Sequence, residues 1–254
     1  MNKNLSILIT LTALLFSAAA SAIPTLQVGV RDGMGGYVDY TTNSPDEDTA
    51  FTSGYSLAVA GTYGPNDLLI GGQYLCDVDP CTSGLDWTAV DPGFDSSFGS
   101  KGAVLMATAF GAGSLSVDGK SAFYSTTGYE SGFVLPSILQ NHYPVKPGLG
   151  ATFLFFDIGN FAKVAGATLD FQDETGSGTG EIKDLALGIA GFDSIHFDVM
   201  ALVTDVTGQS RINTNLDGNP NSHDVTWSVP EPSALALMGI GLVGIGVATR
   251  RRQR

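Results

Sequence analysis

Only three histidines, His142, His196 and His223, are available to this chain for metal binding. Two of them stand beside carboxylates. His196 lies in Ile195-His-Phe-Asp198, and His223 immediately precedes Asp224. Imidazole and carboxylate together suit a divalent cation. A His/Asp metal site across strands is conceivable, but a hydrogen-bonded or solvent-facing histidine is the favoured reading, because nothing in the sequence pairs the two segments. The best small-ligand candidate is the run Asn213-Thr-Asn-Leu-Asp-Gly-Asn-Pro-Asn-Ser-His-Asp224. Asn213, Asn215, Asp217, Asn221 and Asp224 place oxygens at the ligand spacing of a calcium loop, with Gly218 at the sharp turn. Its departures are an Asn at the first position, Pro220 inside the loop, Asp rather than Glu at the end, and strand-like flanks. A solvated Asn/Asp/Gly/Pro turn accounts for the same residues.

Other constellations point less clearly to chemistry. Asp170, Asp173 and Glu174 could do acid–base work on a sugar, but nothing places two of them across a cleft, and surface acidity is the default reading. No G-x-S-x-G elbow occurs. Gly119-Lys120-Ser121 resembles the end of a phosphate-binding loop, yet Ser114 stands where that loop needs glycine. Gly239-Ile-Gly241-Leu-Val-Gly244 matches the dinucleotide pattern without the preceding strand or a following βαβ unit. Trp87, Tyr63, Tyr74, Tyr124 and Tyr143 could stack on sugars, or could fill a core. With no catalytic motif, the expectation is a non-enzymatic body with no resident cofactor, calcium excepted.

The elements that would position these residues read as strands. Gly, Asp, Asn, Ser and Pro punctuate the chain every ten or so residues, the spacing of sandwich strands and turns. Strands are expected at Thr25–Val30, Tyr55–Ala60, Gly102–Phe110, Ala151–Phe156, Val164–Phe171, Ser194–Thr204 and Asp224–Val229. In Ser194–Thr204, Ile195, Phe197 and Val199 alternate with His196, Asp198 and Met200. Asp118-Gly119 supplies the positive φ of a type I′ hairpin turn between Leu115 and Tyr124. The best helix candidate is Glu181–Ile189, from Ile182, Leu185, Leu187 and Ile189. No internal repeat is visible, which argues against a solenoid or propeller. The expected fold is all-β, an antiparallel β-sandwich of jelly-roll type spanning residues 23–228.

Composition narrows the partners. The formal charge is −13, and nearly all of the acid lies between residues 23 and 229, which disfavours nucleic acid. Cys76 and Cys81, in Cys-Asp-Val-Asp-Pro-Cys, fit a short-loop disulfide in an oxidising compartment. Two cysteines without a nearby histidine do not make a structural zinc site.

The two ends are address labels. Lys3, an apolar run over Leu5–Phe16 and the box Ala20-Ser-Ala22 read as a secretory signal peptide over residues 1–22, cut by signal peptidase to leave Ile23 first. At the other end, Val229-Pro230-Glu231-Pro232 precedes an uncharged apolar stretch over 234–249, then Arg250, Arg251 and Arg252. That is a short transmembrane helix with cytoplasmic arginines, behind an extended Pro-flanked hinge. The order and spacing over 229–254 resemble a PEP-CTERM sorting signal. The resemblance implies recognition by an exosortase of Gram-negative bacteria, transient anchoring in the inner membrane, and delivery to the cell surface or its exopolysaccharide matrix, as in biofilm. Ile23-Pro-Thr-Leu-Gln-Val, Ile195-His-Phe-Asp198 and Asn221-Ser-His-Asp224 are similar to the choice-of-anchor proteins of N type. That group implies no enzymatic activity. Three function classes follow: a structural or interaction protein of the surface, a carbohydrate- or calcium-binding lectin-like module, and a secreted glycan hydrolase.

Overall fold

The computed structural model describes residues 23–42, 48–72, 86–127, 138, 150–208, 211–219 and 223–229. Ala20, Ala22, His142, the Cys76–Cys81 pair, Asn221, the Pro230-Glu231-Pro232 triplet, the 234–249 segment and Arg250–Arg252 lie outside them. The described chain is mainly β, as expected. Strands β1 (Leu26–Gly29), β2 (Thr41–Thr42), β3 (Asp48–Thr52), β4 (Ser56–Tyr63) and β5 (Asp67–Gly71) come first. A one-turn helix α1 (Trp87–Val90) follows, its first turn capped by the Asp86 carboxylate. Then come β6 (Ala103–Val117), β7 (Tyr124–Thr127), β8 (Thr152–Gly159) and β9 (Val164–Thr168). Last are β10 (Gly178–Thr207), β11 (Arg211–Gly218) and β12 (Asp224–Ser228). Among the described residues no helix is long and apolar enough to cross a membrane.

The 30-residue β10 organises the rest. Its first third pairs with β4, Thr179 opposite Tyr63 through Ala186 opposite Ser56, and β4 pairs in turn with β1. Its remainder pairs with β6 on one side and with β12 and β11 on the other. The two portions meet where the β6 register shifts twice, between Ala190 and Ser194. There Gly191 and, across the ladder, Gly111 adopt positive φ of 85° and 87°, backbone that only glycine takes without strain. One strand thus serves two layers. Leu26, Val28, Leu57 and Val59 of one layer meet Leu105, Ala107, Ile195, Phe197, Val199, Val225 and Trp227 of the other in the main core, which fits a β-sandwich.

Three expectations need correction. Glu181–Ile189 is strand, not helix. Leu185 and Leu187 enter the main core, and Ile182 packs on the opposite face against Ala58, Ala60 and Phe171. That is the two-residue period of a strand. The sheet is not purely antiparallel, since β12 runs parallel to β3. The Asp118-Gly119 turn forms with both φ positive, 51° and 72°, but its hairpin ends after the single Val117–Lys120 bridge. Beyond it the chain leaves to pair as β7 with β8.

Candidate metal centre

Cross-strand register builds the site. β10 and β12 lie antiparallel with His196 opposite Thr226 and Phe197 opposite Val225, so the next pair along is Asp198 and Asp224. Phe197, Val199, Val225 and Trp227 point into the main core. Alternation sends His196, Asp198, Asp224 and Thr226 to the other face of the sheet. That is the face on which Met106, Met200, Phe153 and Phe155 pack beneath Trp87 and Phe98. On the β6 side, Thr108 stands opposite His196 and Met106 opposite Asp198.

His196, Asp198 and Asp224 are 2%, 0% and 0% exposed. The imidazole Nε2 lies 3.5 Å from Asp198 Oδ1 and 3.8 Å from Asp224 Oδ2. One ligand atom from each residue falls within 4.8 Å of the other two. His196 Nδ1 is 2.9 Å from the Thr226 hydroxyl, which fixes the ring plane and turns Nε2 toward the carboxylates. Asn219 braces the far side. Its Oδ1 accepts the Val199 N–H at 2.8 Å and its amide nitrogen reaches Asp198 Oδ1 at 3.4 Å. A nitrogen and two carboxylates on neighbouring strands make an N/O donor set suited to a divalent cation.

A second buried pair lies nearby. His223 Nε2 is 3.1 Å from Asp170 Oδ1, and the Tyr40 ring is 5.3 Å from the His223 ring. Burial, helped by the Asp224 and Asp170 carboxylates, pushes the Tyr40 phenol far above its ordinary range. It stays neutral and donates to the Val28 carbonyl at 2.5 Å.

The calcium loop expected over 213–224 takes another form. Asn213, Asn215 and Asp217 belong to β11, paired with Asp205, Val203 and Ala201 of β10. Oxygens spaced two apart on a strand line one face instead of wrapping an ion. Asp224 is drawn instead to His196 and Asp198. Asp170 accepts the Gln172 N–H, Asp173 the Thr175 N–H and Glu174 the Tyr37 N–H, so these carboxylates shape turns. Trp87 and Tyr63 are buried and Tyr124 packs on Phe98 and Phe155; Tyr74 and Tyr143 lie outside the described residues. The sequence pattern of strand 194–204 already put His196 and Asp198 on one face. Thr108, Thr226 and Asn219 carry no signal until the register is known.

The chain matches the PEP-CTERM protein-sorting motif over residues 228–252. The match begins at the last residue of β12 and supports an exported, exosortase-processed surface protein. No curated protein and no solved structure matches the chain.

Proposed function

We propose that this chain is an exported envelope protein whose β body is handed to the cell surface by an exosortase, and that the body then serves a structural or interaction role there. The observation that carries this reading is the point at which the sorting motif leaves the fold. Ser228 ends β12, which is flanked by β10 and β3. Val229 is 48% exposed, so the chain has already left the paired strands at the residue before the recognition triplet Pro230-Glu231-Pro232. The signal peptide read over 1–22, cut by signal peptidase, the uncharged apolar segment over 234–249 and the arginines beyond it would complete the route through the inner membrane.

Destination and partner belong to the same reading: the exopolysaccharide matrix or outer surface, no nucleic acid, and no catalysis. The jelly-roll arrangement, the kinship to choice-of-anchor proteins and the Cys76–Cys81 disulfide are inferred with it. A sugar-stacking role is weakened by the inward packing of Trp87 and Tyr63. The test is Glu231→Ala in the native host, followed by fractionation and surface proteolysis. The variant should accumulate in the inner membrane, shielded from added protease. A variant displayed like the wild type would overturn the reading.

A further inference from the structure

We infer that His196, Asp198 and Asp224 hold a structural divalent transition-metal cation that staples β12 to β10. The argument begins with charge. Two carboxylates that are 0% exposed face each other across one strand pair. Two buried carboxylates beside an imidazole are the charge and donor type that a divalent cation takes.

Geometry agrees. Ligands about 2.1 Å from a tetrahedral ion stand about 3.4 Å apart. Nε2 lies 3.5 and 3.8 Å from the two carboxylate oxygens. The contact from Thr226 to Nδ1 leaves Nε2 to point at the ion, the outer-shell arrangement that metal-bound histidines use. An independent observation completes the set. Thr108 is 0% exposed, stands opposite His196 on the same sheet face, and its hydroxyl has no hydrogen-bond partner among the described residues. A buried hydroxyl in that position is a further oxygen for the ion or for a water on it.

The donor set names the class of ion. Imidazole with carboxylate favours zinc or manganese over calcium, which prefers an all-oxygen cage of six to eight ligands. Full burial makes the ion structural, taken up as the protein folds and released slowly. Two ligands come from β10 and one from β12, so the ion closes the strand that leads directly into residues 229–254. The inference stands independently of how that tail is processed.

The test uses the untagged full chain in detergent, made in medium supplemented with zinc and manganese. Metal content after dialysis is compared among wild type, Asp198→Asn, Asp224→Asn and the exposed control Asp173→Asn. Wild type and control should retain close to one ion per chain, and the two site variants should lose it. Chelation of wild type should proceed slowly and lower Tm by about 5–15 °C. Should the site variants fail to fold, cobalt(II) refolded into the wild type decides the matter. Its visible d–d bands should appear, and should shift in Thr226→Val, which touches only the outer nitrogen of His196. Wild type that retains no more zinc or manganese than an unrelated protein, that binds calcium alone, or that keeps its Tm under chelator would overturn the assignment.

Discussion

Trp227 offers the sharpest test of the packing described here. It sits in β12 at 4% exposure within the main core, its ring 6.4 Å from that of Tyr55. Its indole N–H is buried without a hydrogen-bond partner among the described residues. The side chain therefore stabilises through its area and costs stability through one polar atom. Trp227→Ala removes the ring and leaves a cavity, for an expected loss of about 3–5 kcal/mol. Trp227→Phe gives up roughly 40 Å² of buried apolar area, about 1 kcal/mol. It also removes a donor whose unmade hydrogen bond costs about 1–3 kcal/mol. The two terms offset, and the Phe variant should stay within about 1 kcal/mol of wild type or exceed it. At about 2–4 °C per kcal/mol for a domain of this size, the Ala variant should melt about 6–20 °C lower and the Phe variant no more than about 4 °C lower. Urea and thermal unfolding of the full chain in detergent, followed by far-UV circular dichroism, measures both. A Phe variant that loses as much as the Ala variant would refute the claim that the indole N–H is a liability.

Further expectations concern single positions. Gly119 has a φ of 72° and open space where a Cβ would lie, so Gly119→Ala meets backbone strain alone and should cost about 1–2 kcal/mol in unfolding experiments. Burial raises the Asp217 carboxyl above its ordinary range, opposed by the Gly218 N–H and the Thr25 hydroxyl. A raised carboxyl costs stability at neutral pH, and the cost disappears as pH falls through the raised value toward the ordinary one. Asp217→Asn should therefore stabilise at neutral pH by no more than about 1 kcal/mol, with the gain gone below about pH 4; a pH series of melts checks the sign. A disulfide between Cys76 and Cys81, as proposed, would leave no alkylatable thiol until the protein is reduced, read by mass after iodoacetamide.

Much of the fold was legible because strands advertise themselves by alternation. Ile195, Phe197 and Val199 against His196, Asp198 and Met200 is such a pattern, and it foretold which side of the sheet each would take. The same two-residue period misled twice. Asn213, Asn215 and Asp217 have the spacing of the first three ligands of a calcium loop, and it is also the spacing of one face of a strand. Leu185, Leu187 and Ile189, with Ile182, fit a short helix as well as a strand, and only pairing with β4 and β6 decides between them. The metal centre was half visible. Asp224 lies 26 residues beyond Asp198, and its place opposite that residue follows from the register of β10 with β12, which no local pattern encodes. The tail was the most legible part, because its signal is a local order of hydropathy and charge, and the motif match over 228–252 agrees with it.

The measurement that bears most directly on the central claim is the intact mass of the protein recovered from its host's envelope and medium. The account predicts a chain that has lost Met1–Ala22 and the residues beyond the Pro230-Glu231-Pro232 region. A mass that still includes Arg250–Arg254 would contradict it and leave a β body held by an ordinary membrane anchor.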